Sequence, residues 1–231
     1  MSGLKLTVKD LVVSTAVALP LIHPVRFSLE PGQCLVIQGA SGAGKSTLLL
    51  AIAGVQTPDL QMNGEIRLGD QCVSDQPAYR RRIGMLFQRP NLFAHLSVGQ
   101  NVALVLAKQP GDSIERRRQR VEKWLDSVGL AGMMDRDPAT LSGGQQARVA
   151  LARMLAADPS AVLLDEPFSA LDPPLRAATR ALVYRHLAEA NVPVVLVTHD
   201  TGDVPAQQFE IKMHHMSSGK LQVAESQRAG H

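Results

Sequence analysis

One stretch, Gln33 to Gly54, limits what the rest of this chain can be. It opens on Cys34-Leu35-Val36-Ile37, an apolar run with the length and composition of a buried strand. The run breaks into Gly39-Ala40-Ser41-Gly42-Ala43-Gly44-Lys45-Ser46-Thr47. A leucine-rich segment, Leu48 to Ala53, follows, and Gly54 closes it as a helix C-cap. The pattern G-x-x-x-x-G-K-[ST] between a strand and a helix is that of a phosphate loop. Its glycines let backbone N–H groups curl around phosphate oxygens at a helix N-terminus, whose dipole favours anions. Lys45 can reach the β- and γ-phosphates, and the Ser46 hydroxyl can sit on Mg²⁺. A Gly-rich turn without a ligand is the plain rival, but it has no need of this strand–loop–helix order. The chain is read as binding a nucleoside triphosphate.

At 231 residues the chain is long enough for one large α/β domain, or a domain with an inserted lobe. Hydrophobic residues at 45% and charged ones at 19% give a globular profile rather than a disordered one. Aromatics at 3% are too scarce for a base-stacking platform, and a formal charge of +3 is too small to imply a polyanion. No nucleic-acid partner is expected. The runs Arg80-Arg81-Arg82 and Arg116-Arg117-Arg118 read as solvated faces, with phosphate or lipid-headgroup contact as the other reading. Cys34 lies in the apolar strand as a small core residue, so a disulfide with Cys72 is not expected. Lys5, Lys9 and Asp10 interrupt the N-terminus, so no signal peptide is read there. The longest apolar stretch, Leu11 to Ile22, carries Ser14, Thr15 and Pro20 and is too short to span a bilayer. The expectation is a protein that is soluble by itself and cytoplasmic.

Residues 4–30 alternate loosely and read as antiparallel strands joined by an irregular Pro20–Pro24 turn. Asn63-Gly64 gives a hairpin signal between short strands, and Ile83 to Phe87 is a further buried strand ending at Gln88. From Arg89 the texture changes. Leu96 to Leu106 and Ser113 to Val128 have helical apolar spacing, with Ile114, Val121, Leu125 and Val128 on one face of the second. Asp112 with Glu115 reads as a capping box there, and Gly129 as its C-cap. Residues 89–156 are therefore taken as an inserted helical subdomain, and 1–88 with 157–231 as the core of a single domain over 1–231. Two buried strands follow, Ala161 to Leu164 and Val194 to Val197, with a helix at about 173–190 between them. The tail reads as a hairpin around Ser217-Ser218-Gly219. The fold class is α/β: a P-loop NTPase core with a mainly parallel sheet, an N-terminal antiparallel β subdomain and the helical insertion.

Four of the apolar strands end in residues suited to phosphate chemistry: Gly39, Gln88, Asp165-Glu166 and His199. In an open parallel sheet, ligands sit outside the carboxyl ends of the strands, so these residues should converge on one γ-phosphate. Asp165, after four apolar residues, fits the Mg²⁺-binding acid. Glu166 is placed to orient and deprotonate an attacking water. Gln88 could hold that water or the metal, and His199 could contact the γ-phosphate. Inside the insertion, Ser142 and Gln145 form an S-x-x-Q capping box that starts a helix with Gly143 and Gly144 in its first turn. This reads as a second phosphate-binding helix N-terminus.

With the phosphate loop, Gln88, Leu141-Ser142-Gly143-Gly144-Gln145, Leu163-Leu164-Asp165-Glu166-Pro167, Ser169-Ala170-Leu171-Asp172 and His199 in this order, the chain resembles an ATP-binding-cassette ATPase. The resemblance covers nearly the whole chain. It implies a head-to-tail homodimer in which Ser142, Gly143, Gly144 and Gln145 of one subunit close on ATP held by the other. It further implies Asp172 at the dimer seam and His199 as the γ-phosphate sensor. Transmembrane permease subunits, a solute-binding protein, and a place on the cytoplasmic face of the cell membrane come with the family. The run Arg82 to Gln88, and Phe168 to Pro173 with Leu175-Arg176, resemble the thiamine, ferric-iron, sulfate and polyamine importer ATPases, and above all the short Ynj-type ones. The C-terminal regulatory domain of the maltose and sulfate relatives is expected to be absent.

Two positions depart from the family pattern. Val12-Val13-Ser14 offers no aromatic ring to stack on adenine, and Ala147 stands where Gln or Arg is common. His23 is the nearby ring that could replace the missing aromatic. Rival readings are an exporter ATPase, a soluble ABC ATPase not coupled to transport, and a small-molecule kinase. The last would need an acceptor-binding lid in place of Leu141 to Gln145. His214-His215 reads as two strand residues facing opposite ways, not as a metal site.

Overall fold

The structure, a computed structural model, describes residues 3–17, 19–107, 112–205 and 207–223. In chain order its strands are β1 (Leu6–Thr15), β2 (Pro20–Leu29), β3 (Gln33–Gln38), β4 (Leu60–Leu68), β5 (Gln71–Cys72) and β6 (Ile83–Leu86). Then come β7 (Ala161–Asp165), β8 (Val194–Val197), β9 (Glu210–Ser217) and β10 (Lys220–Val223). The α-helices are α1 (Lys45–Ala53), α2 (Val98–Ala103), α3 (Ile114–Ser127), α4 (Gly143–Ala156) and α5 (Pro173–Ala190).

Two sheets result. One is antiparallel, in the order β2-β1-β4-β5; the other runs β10-β9-β3-β8-β7-β6 and is parallel from β9 to β6. The central parallel strands β3, β7 and β8 carry unbroken apolar runs because both their faces are covered. Leu35, Ile37, Leu163, Val195 and Val197 point into a core shared with α1 and the antiparallel sheet. Cys34, Val36, Val162, Leu164, Val194 and Leu196 point the other way, into a core shared with α3, α4 and α5. Full burial of such a side chain is worth about 1.5–3 kcal/mol, so these two layers hold the sheet edge in place.

Several local expectations are corrected. Pro20 and Pro24 lie within β2, not in a turn; the chain reverses between Thr15 and Leu19, whose backbones pair at 2.9 Å. The prolines are tolerated because β2 is an edge strand, and Pro24 falls where the register against β1 slips. Asn63-Gly64 makes no hairpin either. β4 runs straight through it, and Gly64 lies against the backbone of Asp10 and Leu11 so closely that a Cβ would collide. The turn comes later, at Gly69-Asp70.

In the helical region α2 is shorter than its apolar spacing predicts and starts at a Ser97–Gln100 capping box. The cap of α3 is Ser113, not an Asp112–Glu115 box; Asp112 instead accepts from Arg120 at 2.7 Å. Val121, Leu125 and Val128 are buried as expected, but Ile114 is 90% exposed. Gly129 follows the end of α3 at φ 73° and donates to Asp126 O at 2.8 Å, the expected left-handed stop. Arg80, Arg82, Arg116 and Arg118 are exposed as read, while one arginine of each run is tied to backbone carbonyls. Arg117 donates to Ala103 O and Leu106 O beyond the end of α2. Arg81 is 4% exposed and donates to Ala51 O and Ile52 O at the end of α1, and to Gln76 O and Ser74 O.

Candidate nucleotide-hydrolysis site

The loop between β3 and α1 is shaped by left-handed backbone at Gly42 (φ 78°) and Gly44 (φ 97°), conformations that cost a side-chain-bearing residue most. Lys45 folds back over it, 7% exposed, donating to Gly39 O and Ala40 O at 2.8 Å each. A second element braces the loop at Gly39 and Ala43. Gly219, in the turn between β9 and β10, donates to Ala43 O at 3.1 Å, and Met216 O sits against Gly39. Ser41, Gly42, Gly44, Lys45, Ser46 and Thr47 face a cleft of about 370 Å³ with Gln88, Asp165 and Glu166.

Across this cleft Ser46 Oγ donates to Asp165 Oδ1 at 3.1 Å. Burial, reinforced by Glu166, holds Asp165 above the ordinary carboxylate range, while the Ser46 hydroxyl and Lys45 pull it back down. A half-buried carboxylate beside a hydroxyl and an amide is a hard-oxygen donor set suited to a hard divalent cation. Among the described residues no group of three or more His, Cys, Asp or Glu could hold a metal ion. Glu166 holds φ 43°, an unusual backbone for a residue with a side chain, fixed by its N–H on Val197 O and by Ser169 bonding its carbonyl. Its Oε2 lies 3.3 Å from Nδ1 of His199, whose side chain is 63% exposed.

Ser142, Gly143, Gly144, Gln145 and Asp172 do not line this cleft. The capping box at Ser142 forms as read: Gln145 N donates to Ser142 Oγ at 3.3 Å, and Ser142 N to Gln145 Oε1 at 3.0 Å. The paired glycines differ in role. Gly143 faces open space, whereas Gly144 packs against Leu175 so tightly that no Cβ fits. Asp172 caps α5 through Leu175 N at 3.1 Å. Sequence reasoning missed the brace from Gly219 and Met216, and the buried Asn101 that pins the loop after Gln88. Asn101 Nδ2 donates to Phe93 O, Leu96 O and Ser97 O, and Asn101 Oδ1 accepts from Phe93 N. The available signal was a polar residue on the buried face of a short helix.

The ABC transporter family profile matches residues 22–169. The chain belongs to the ABC transporter family. It is an ATP-binding, ATP-hydrolysing cassette of that family. It is 44% identical over 198 residues to the uncharacterised ABC transporter ATP-binding protein YnjD of Escherichia coli K12, covering 85% of this chain and 90% of that one. It is 45% identical to the thiamine import ATP-binding protein ThiQ of Vibrio parahaemolyticus, covering 78% of this chain and 75% of that one. The sulfate/thiosulfate import ATP-binding protein CysA of Gloeobacter violaceus is 47% identical over 82% of this cassette, which spans 53% of that relative's length. Among solved structures, the ATP-binding cassette MJ0796, a dimer bound to ADP and phosphate after hydrolysis, superposes with a TM-score of 0.80. That match has 30% identity and covers 97% of this chain and 100% of the other. No helix among the described residues is long and apolar enough to cross a membrane.

Proposed function

We propose that this cassette powers solute import, converting ATP and water to ADP and phosphate while docked on transmembrane permease subunits at the cytoplasmic face of the cell membrane. A solute-binding protein would present the cargo. The observation that carries the chemistry is the convergence of Ser46, Asp165, Gln88, Glu166 and Lys45 on one cleft, with His199 beside Glu166. The relatives named for thiamine and sulfate import support the direction of transport.

In this reading the loop from Gly39 to Thr47 holds the triphosphate, with Lys45 exchanging its two loop carbonyls for β- and γ-phosphate oxygens. Ser46, Asp165 and Gln88 would hold Mg²⁺, which neutralises charge on the phosphates when bound. Glu166 accepts the proton of the attacking water, and His199 steadies Glu166 and meets the γ-phosphate. The working unit is a head-to-tail homodimer. Ser142, Gly143, Gly144 and Gln145 of one copy close on ATP held by the other, with Asp172 at the seam. Two features support this: the start of α4 does not line its own subunit's cleft, and MJ0796 is a dimer. We assign 1–88 and 157–231 to the nucleotide-binding core and 89–156 to a helical lobe that meets the permease. Phe93, 42% exposed beside Arg153, and Ala94 on the loop after Gln88 suit that contact.

The test is crosslinking from Ala94→Cys to a co-expressed permease, paired with Mg²⁺-dependent ATP hydrolysis by the purified chain. A nucleotide-sensitive crosslink and Mg²⁺-dependent turnover are expected. Turnover that ignores Mg²⁺, or no crosslink from any position between 90 and 98, defeats the proposal.

A further inference from the structure

The turn that carries His199 is gripped by one stripe of α5. Arg176, Arg180 and Tyr184 recur every fourth residue on that helix, which places them on one face. All three reach the segment from Thr198 to Val204. Arg176 Nη2 donates to Asp203 Oδ2 at 3.0 Å, and Arg176 Nη1 lies 3.1 Å from Asp200 Oδ2. Arg180 donates to Gly202 O and stands 3.4 Å from Asp203 Oδ1, and the Tyr184 hydroxyl donates to Asp203 O. Thr198 Oγ1 donates to Asp203 Oδ2 at 3.1 Å. Asp203 is 1% exposed, so its carboxylate needs these partners, and they in turn fix where it sits.

His199 itself is largely exposed and reaches Glu166 as its polar neighbour. Its placement therefore comes from the residues on either side. Thr198 is tied to Asp203 and Asp200 to Arg176, so both flanks of the histidine are held by the same pair. Arg176 lies in the first turn of α5, and its N–H donates to the carbonyl of Asp172 at 2.8 Å.

We propose that Arg176 and Asp203 are positioning residues for His199. The pair aims the imidazole at Glu166 and the cleft, and it links that aim to Asp172, so a shift of the helix start at Asp172 is felt at His199. The inference rests on the reading of His199 as a group that meets the γ-phosphate. A staple that merely holds α5 to the sheet would make the same contacts but act independently of His199.

Steady-state and single-turnover ATP hydrolysis by the full chain separate the two in wild type, Arg176→Gln, Arg176→Lys, His199→Ala and the Arg176→Gln/His199→Ala double variant. Arg176→Gln is expected to lower kcat about tenfold with KM for ATP changed less than about twofold, an effect confined to the reacting complex. Arg176→Lys keeps a charge and should recover part of the loss. The double variant should be no slower than His199→Ala alone, because a positioning residue has nothing left to position. Wild-type turnover in Arg176→Gln overturns the proposal, as does an undiminished further loss on the His199→Ala background. Thermal unfolding of each variant guards against global damage: a kcat loss that follows the unfolding midpoint, with or without His199, also overturns it. Wild-type turnover in His199→Ala is a different failure. It removes the role of His199 first, and the positioning role with it.

Discussion

Ser46 Oγ and Asp165 Oδ1 are hydrogen-bonded at 3.1 Å across 119 positions of sequence. One residue lies in the first turn of α1 and the other ends β7, so the bond depends on the parallel order β3-β8-β7. The candidate site is thus a product of the sheet and not of the loop alone. Glu166 occupies the next position along, with a backbone already set by Val197 and Ser169.

Glu166→Gln should retain that backbone and remove only the base. Turnover is expected to fall by about 10²–10⁴-fold, the usual worth of general acid–base catalysis. ATP binding should survive, and gel filtration with ATP should show a trapped dimer. Hydrolysis at the wild-type rate would sink the assignment.

Mixing Lys45→Ala subunits with Ser142→Arg subunits tests the shared site. Each variant alone should be inactive. In a mixed dimer one intact phosphate loop faces one intact Ser142 segment, so at most one site per dimer regains activity. The shared site is wrong if either variant hydrolyses ATP normally at high dilution.

Arg81 donates to four backbone carbonyls from two separate segments, Ala51-Ile52 and Ser74 to Gln76. Burial lowers its pKa, which marks how little water reaches it. Arg81→Met should cost about 2–4 kcal/mol, since each stranded buried acceptor costs about 1–3 kcal/mol. Gly54→Ala should also destabilise the fold, because φ is 78° there and a Cβ would fall within the Arg81 guanidinium. Urea unfolding reads both, and wild-type midpoints would contradict the clamp.

Burial, with Lys212 nearby, pushes the His214 imidazole below its ordinary range. The folded chain thus holds this proton less readily than the unfolded chain does. The stability contributed by neutral His214 is complete above pH 6.5 and is lost as pH falls from there through the depressed folded value. Its Nδ1 is buried without a hydrogen-bond partner, so protonation finds no acceptor waiting at that atom. His214→Gln should flatten the fall in stability between neutral pH and pH 5. Parallel pH profiles for variant and wild type would refute this.

Val13 is fully buried, so it offers nothing to a nucleotide base. Contacts from Gly39 to Thr47 are indifferent to the base and should carry most of the affinity. GTP should compete with ATP within about tenfold, or roughly 1.4 kcal/mol. A hundredfold preference for ATP in competition binding would show that another group reads the base.

The parts of this molecule that sequence made legible share one physical trait: their surroundings repeat along the chain. β3, β7 and β8 are buried on both faces and read as unbroken apolar runs, and their ends supplied Gly39, Asp165, Glu166 and His199 as candidates. Helix α4 announced itself through Ser142 and Gln145. What stayed hidden depended on partners distant in sequence. Pro20 and Pro24 look like a turn until β2 is known to be an edge, and Gly64 looks like a hairpin until Leu11 is known to lie beneath it. Gly144 shares its turn with Gly143, but its packing against Leu175, from another helix, is not written in the local sequence. The Arg176–Asp203 pair is silent for the same reason.

The position of β3 between β8 and β9 also sets a timetable. Gln33 pairs in register with Glu210, and their side chains meet across 177 positions. At about 5–20 residues per second of synthesis, β3 therefore waits roughly ten to thirty-five seconds for that neighbour. The brace on Ala43 from Gly219 comes later still. Until then the phosphate loop lacks its β9 neighbour and the brace on Ala43, so β3 has β8 on one side only.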